Sequence, residues 1–600
     1  MLPRGGSRPM RGWSIPVLLT TALVAAGCVV PGAIDELAAP GGAAGFTGTH
    51  VFPGAYETKG NFARVLVEGA LLPLPQEIEI LRSAYDGASM EIGVVRPDVP
   101  EGTQVPVIVF ASPYLAPLAT LDFSKRLPRL VENFVPHGYA VAFVPVRGTA
   151  DHGACMDLMG PAERADLDQA ITWLGEQPWS NGRIGMVGVS YDGSTPWEVA
   201  ATGNPYLKTI VPISGVNDLY HLMFKNGTNE FRGPLVLNAL YYQYGFLENN
   251  PTNGRSAEHT VTGVLCPESL EGLYASAHSG LTGERDPLGF WAERNSRPGV
   301  EENYQGSIFL VQGLQDWNVD PSHSYPWVNA LEDRGIVVKH LLGQWAHAWP
   351  DSNAENSPHA RWDWAEILLR WFDRELKGLD VDVGPKVQVE DSSGRWRSDD
   401  SWPPRDATPV TFYLAPGGAL ATEPASGSER VPIGPTPTKH FPFSFDAPEL
   451  DAACVACAVF ASEAFEREFR FAGLPLLPVT VVPSAPFGHV AAWLYEDSGS
   501  TRDLVGWAQL DIRFAEGGEV AKPAVPGQPL VARMQFEPLD VVIPAGSRLV
   551  LVLHQGSYGD HVASIPTAPM LVEVGGEASS LTVSAFERDE SAFFVPPGKE

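Results

Sequence analysis

The chain has 600 residues, enough for two to four packed domains rather than a single core. Its formal net charge of −30, from 71 acidic against 41 basic residues, argues against nucleic-acid binding and predicts a solvated acidic surface. Apolar content is ample for globular cores, and no low-complexity block speaks for long disorder.

Residues 1–28 open with Arg4, Arg8 and Arg11, continue through the apolar run Ile15 to Ala26 and end in small residues. That order is an export signal, too short for a membrane span in the mature protein. Two endings fit. Ala25-Ala26-Gly27-Cys28 reads as a lipobox, which would make Cys28 the lipidated first residue of a tethered surface protein. Ordinary cleavage after Ala26, with Cys28 incidental, gives a secreted one. Export permits disulfides. Cys454 and Cys457, in a C-x-x-C without a second pair or histidine cluster, suit a small disulfide loop better than zinc. Cys155 and Cys266 are candidates for a second bridge.

Residues 29–60, rich in Gly, Ala and Pro, read as a tether. From 61 to 216 the pattern is that of an α/β domain. EIEILRSAYDG and MEIGVVRP form a hairpin about Asp86-Gly87, and Val105 to Ala111 is a strand buried on both faces. A loop, SPYLAPL, leads to a helix over Phe123 to Val135 that stops near Gly138. A second buried strand, Tyr139 to Val146, runs into Arg147-Gly148-Thr149. A helix follows from Pro161 to Gln177, then strands at Ile184 to Val189 and Leu207 to Ile213. Strands alternating with helices predict a doubly wound parallel sheet, whose ligands sit beyond the carboxyl ends of the strands.

The βα rhythm stops over residues 217–300, which read as a mainly helical cap, and resumes over 301–380. Strands at Ser307 to Gly313 and Ile336 to Gly343 and a helix over Trp362 to Gly378 complete the domain. Residues 384–600, from KVQVED onward, are short alternating runs between Gly, Pro, Asp and Ser, which predicts an all-β jelly-roll sandwich.

The chemistry centres on RIGMVGVSYDG, where Ser190 stands between a buried strand and a helix start. This is the pattern of an α/β-hydrolase nucleophile elbow, with Gly188 and Gly193 keeping the turn clear of side chains. The general pattern wants Gly two residues after the serine; Asp192 occupies that place. A serine nucleophile needs a base held by an acid, in the chain order Ser, Asp, His, on loops after later strands. Asp316 in GLQDWNV and His347 in GQWAHAWP stand in those places. The Tyr191 amide would be one oxyanion donor, and Tyr114 in the SPY loop a second.

Rivals are Asp320 for the acid and His340, His359, His137, His221 and His278 for the base. Asp320 lies farther from its strand, His340 lies inside one, His359 lies past the loop and His137 sits at a helix end. His221 and His278 belong to the cap.

GVSYDG, SPY, VRGT, GLQDWNV and GQWAH, with VEDSSGRWRSDDSWPP opening the sandwich, resemble the X-Pro dipeptidyl-peptidase and cocaine esterase family of serine hydrolases. The resemblance covers roughly residues 75 to 590 and is nearer to the dipeptidyl-peptidase branch. It implies an α/β-hydrolase with a helical cap and a jelly roll, Ser190, Asp316 and His347 as the triad, Tyr114 and the Tyr191 amide as oxyanion donors, and no cofactor or metal. The long helical N-terminal domain of the lactic-bacterial peptidases has no counterpart here, and oligomeric state stays open, a homodimer included.

The expected activity is release of Xaa-Pro dipeptides. Esterase or amidase action on small acyl compounds, as in cocaine esterase or α-amino-ester hydrolases, is the alternative. A non-catalytic surface binding protein is the reading from another class. Small peptides or acyl compounds are the expected partners, with no nucleic acid and membrane contact only through a lipid. A dipeptidase of this kind must hold a free α-amine; Asp218, Glu284 and Asp286 in the cap are candidates for that role, each reading rather as a solvated surface charge, and Trp317 reads as either the wall of a proline pocket or core packing.

Overall fold

The computed structural model describes residues 71–597, apart from 116, 123–128, 153, 230–266, 287, 353–357, 435–455, 518–519 and 556–568. The export signal with Cys28, the tether, Cys266 and Cys454 lie outside the described residues. So does the start of the helix expected over Phe123 to Val135, of which Leu130–Phe134 and a 3₁₀ turn at Val135–His137 are described.

An 11-stranded sheet carries the first half of the molecule. Its strands are β1 (Glu77–Arg82), β2 (Ser89–Val95), β3 (Val105–Ser112), β4 (Ala140–Pro145), β5 (Ser180–Val189) and β6 (Leu207–Ile213). A small separate hairpin follows, β7 (Phe224–Lys225) with β8 (Thr228–Asn229). The sheet then resumes with β9 (Ser307–Gly313), β10 (Val338–Gly343), β11 (Val387–Glu390) and β12 (Trp396–Asp399). The spatial order is β1-β2-β4-β3-β5-β6-β9-β10-β11-β12, closed by the short strand Phe593–Phe594. From β4 to β11 all neighbours are parallel, and β1–β2, β2–β4 and β11–β12 are antiparallel. Residues 387–399, expected in the sandwich, therefore belong to this sheet: β11 pairs with β10 through His340↔Val387 and its neighbours.

The continuous apolar runs have a direct cause. Helices cover both faces, so every residue of β3, β4, β9 and β10 is buried. Along β3, Val107 and Val109 face the core with α1 (Pro161–Glu176) and α2 (Tyr191–Thr202). Ile108 and Phe110 face the opposite core, shared with the helix Trp364–Lys377. That helix buries Trp364, Leu368, Trp371, Phe372 and Leu376, an i, i+4, i+7 stripe. It stops at Gly378, in the left-handed region at φ 70°, where Arg374 and Lys377 meet the helix dipole.

The cap among the described residues is helical apart from the β7–β8 hairpin; α3 (Pro267–Thr282) is its longest element. Asp218, expected as a surface charge, is instead buried. Its carboxylate accepts from the N–H groups of Tyr220 and His221 and caps the helix Leu219–Met223.

A second, 13-stranded sheet system runs between Thr408 and Phe586 around its own core and forms the all-β domain. Buried ion pairs weld it to the hydrolase sheet. Arg397 on β12 donates to Asp540 at 2.7 Å, with Trp402 Nε1 on the same carboxylate, and Arg470 pairs with Asp391 at 2.6 Å. Removing one partner of such a pair leaves an uncompensated buried charge, at a cost of about 3–5 kcal/mol.

Lys339, buried on β10, donates to the Pro385 carbonyl. Burial, aided by Arg361 and Arg374 and opposed by Asp382, pushes its amine down to about 8. The unfolded chain therefore binds the extra proton between about 8 and 10.4, and stability should rise with pH across that window. Lys339→Met is expected to flatten this slope in denaturant unfolding.

Candidate active site

Ser190 caps the amino end of α2 at φ 65°, ψ −127°, a strained conformation for a residue with a Cβ. Its N–H continues the parallel pairing by donating to Ile213 O at 3.0 Å. The turn is so tight that a Cβ on Gly188 would lie 2.3 Å from Asp192 O, and one on Gly193 2.6 Å from Ile213 O. The crowding falls on residue 193, which is why Asp192 is tolerated where the general pattern has glycine. The Asp192 carboxyl is buried, pushed well up by desolvation, and hydrogen-bonds Ser112 at the end of β3. Ser112 Oγ in turn accepts the Tyr114 N–H at 3.0 Å, so the elbow holds the SPY loop directly. Tyr114 itself is half-buried against the core beside β3.

Two strands away in the sheet, Asp316 follows β9; His347 follows β10. The strand ends are level: Val189 pairs Ile213, Ile213 pairs Val311, and Gly313 pairs Gly343. Asp316 is fully buried. Its Oδ1 accepts from the N–H groups of Asn318 and Val319, both at 2.9 Å, and its Oδ2 accepts from His347 Nδ1 at 2.8 Å. An ionised carboxylate only accepts, so this bond fixes the proton on Nδ1 and leaves Nε2 as the basic nitrogen. Nε2 is buried and makes no hydrogen bond among the described residues. It thus has none with Ser190 Oγ; bonds of this kind commonly tighten only when substrate is seated.

The acid and base loops are tied to each other and to their surroundings. Gln315 Nε2 donates to Gln344 Oε1 at 3.0 Å, and Gln344 donates through both its nitrogens to Glu390, at 2.9 Å each. From the all-β domain, Trp507 stacks on Trp317 at 3.7 Å, and Glu537 accepts the Ser322 N–H at 3.0 Å. Trp317 is therefore a packing residue between domains.

The rivals are occupied elsewhere. Asp320 is ion-paired with Lys225. His340 is buried against the Tyr325 hydroxyl and Glu332, His359 pairs with Glu390, and His137 ends its 3₁₀ turn. His278 pairs with Glu284 at 2.6 Å, and Asp286 accepts from the Trp291 and Ala292 N–H groups. His221 bonds Ser322 Oγ at 2.8 Å. Burial, with Arg297, Lys225 and Arg285 nearby, holds it down to about 3, and its neighbour His323 is held well below the ordinary histidine value. Cys155 and Cys457 are each in a disulfide.

Sequence reasoning passed over Glu163 and Glu198. Both are fully buried behind Tyr191, whose phenol donates to Glu163 at 2.8 Å. Glutamates on helices read as solvent-facing, and no spacing rule marks a pair that meets between two helices.

Residues 86–349 match the X-Pro dipeptidyl-peptidase (S15 family), and residues 380–578 match the X-Pro dipeptidyl-peptidase C-terminal non-catalytic domain. A Streptomyces avermitilis protein named "Putative Xaa-Pro dipeptidyl-peptidase" is 28% identical over 540 residues, 77% of this chain and 75% of its own. The cocaine esterase of a Rhodococcus species is 27% identical over 379 residues, 58% of this chain and 64% of its own. Among solved structures, an α-amino acid ester hydrolase superposes with a TM-score of 0.68 at 18% identity, over 86% of this chain and 97% of that one, which shows the shared fold. With both halves matched in order on one α/β-hydrolase and one all-β domain, the chain belongs to the X-Pro dipeptidyl-peptidase family of serine hydrolases.

Proposed function

We propose that this protein releases Xaa-Pro dipeptides from peptide N-termini through an acyl-enzyme on Ser190. The observation that carries the mechanism is the 2.8 Å bond from His347 Nδ1 to the buried Asp316, on loops level with the strained Ser190. His347 Nε2 takes the Ser190 proton as Oγ attacks the carbonyl after proline. The imidazolium is stabilised by Asp316, and the tetrahedral oxyanion rests on the Tyr191 amide at the start of α2 and on Tyr114. His347 then protonates the leaving amine. Water, deprotonated by the same imidazole, frees the dipeptide and regenerates Ser190. The dipeptidyl-peptidase reading is supported by the names of the relatives matched over both halves.

A specific observation favours a second reading, an esterase or amidase acting on small acyl compounds. A dipeptidase must hold a free α-amine, yet the cap acids considered for that role all have partners. Asp218 holds Arg285 and a helix start, Glu284 holds His278, and Asp286 caps a helix. We also propose that the protein works outside the cytoplasm. The basic and apolar N-terminus supports this, as do disulfides at Cys155 and Cys457.

Gly-Pro and Ala-Pro anilides should be cleaved far faster than aryl esters, and acylating the substrate amine should abolish the reaction. Equal or better turnover of blocked substrates and simple esters would favour the second reading instead. Asp316→Asn should lower kcat by about 10⁴ with little change in KM, because the imidazole loses its tautomer and orientation. Steady-state kinetics on one substrate checks this.

A further inference from the structure

Behind the elbow, α1 and α2 press two carboxyl groups together in the core. Glu163 on α1 is fully buried, and both its oxygens receive the Tyr191 hydroxyl, at 2.9 and 2.8 Å. The Met159 N–H reaches Glu163 as well, and the Tyr191 hydroxyl oxygen at 3.2 Å. Glu198 on α2 is equally buried, and neither of its oxygens is satisfied by a nitrogen or hydroxyl donor among the described residues. What it meets, within hydrogen-bond reach, is the Glu163 carboxyl. Two carboxylates only accept, so this contact holds together only when one of them carries a proton.

We propose that Glu163 and Glu198 form a proton-sharing pair that positions Tyr191, and through it the backbone amide facing the oxyanion; the last clause rests on the mechanism above. Tyr191 is the residue after Ser190 and the first of α2. Its phenol, anchored to Glu163, sets the direction of its Cα–Cβ bond and thus the tilt of its peptide. Glu198 lies two turns along the same helix, so the shared proton clamps α2 against α1 at a second point. Losing that proton would set two negative charges face to face in the core, and repulsion between the helices would carry the elbow with it.

The surroundings agree. Asp157, on the loop before α1 and paired with Arg294 of the cap at 2.8 Å, raises both carboxyls. Arg147, beyond β4, lowers Glu163, and Arg164 on α1 lowers Glu198, yet burial outweighs both. Glu163 is pushed up to about 7 and Glu198 well above the ordinary carboxyl value. Both carboxyls hold protons more tightly folded than unfolded, so their contribution to stability is full below the ordinary value of 4.5 and is lost as pH rises through the folded values.

Glu198→Gln replaces the shared proton with a permanent amide donor. In the full-length enzyme at neutral pH, the infrared difference between wild type and E198Q should show the carbonyl band of a protonated buried carboxylic acid, the contribution of the buried Asp192 cancelling because both proteins share it. No such band in the difference overturns the shared proton, whatever the identity of the nucleophile. In rate profiles between about pH 6 and 9, the ratio of E198Q to wild-type kcat should rise about tenfold with KM unchanged. A ratio constant with pH overturns the positioning role, since a merely structural defect would scale all rates alike. Glu163→Gln is expected to lower kcat about tenfold without raising KM, and Tyr191→Phe to reproduce that loss if Glu163→Gln does not fold. Catalysis retained by Ser190→Ala would overturn the mechanism above while leaving the infrared result standing.

Discussion

Parallel pairing that carries on past the formal strand ends is the constraint on which the rest depends. Ser190 donates to Ile213 O, Ser214 to Val311 O and Leu314 to Gly343 O, all between 2.8 and 3.0 Å. Three loops distant in sequence are thereby launched from one level edge. Because the central strands are packed on both faces, a one-residue slip in register would exchange the side chains of the two cores and break the close packing of both. The elbow's strained backbone is held by that same edge, with Gly188 and Gly193 leaving room for the close passage of neighbouring chain. Precision at the site is thus inherited from the core, not built by the loops.

The all-β domain extends this logic. It contributes Trp507 against Trp317, beside the acid, and Glu537 against the Ser322 N–H farther along the same loop. Gln344, in the base loop, reaches both Glu390 and the Asp540 carbonyl. Asp540 is also the buried anchor of Arg397 and Trp402. One carboxylate on the second domain thus sits where the hydrolase sheet edge and the base loop meet. The domain matched as non-catalytic is thus in contact with both of the loops that bring Asp316 and His347 to bonding distance.

Much of this was legible in the sequence, and the reasons differ from element to element. The runs Val105 to Ala111 and Tyr139 to Val146 announced buried parallel strands because nothing else accommodates unbroken apolar chain of that length. The places of Ser190, Asp316 and His347 after successive strands were legible because the fold fixes that chain order, and the bond between Asp316 and His347 follows from those places. The KVQVED run lies within the stretch matched to the C-terminal domain, yet its strand joins the hydrolase sheet; β11 looks the same whether it joins one sheet or the other, and only its pairing with β10 decides. Asp218 looked like a surface charge because its role as a helix cap and partner of Arg285 depends on tertiary approach. Glu163 and Glu198 were illegible for the same reason: helical spacing shows which face a residue takes, not which charged group lies opposite.

The most direct measurement is active-site labelling with a fluorophosphonate, followed by mass mapping of the modified peptide. A single adduct on Ser190, formed at least a hundredfold more slowly in His347→Ala, is the expected result, on the order of the loss of a general base. An adduct on another serine, or equal labelling without the imidazole of His347, would contradict the assignment of these three side chains to one catalytic unit.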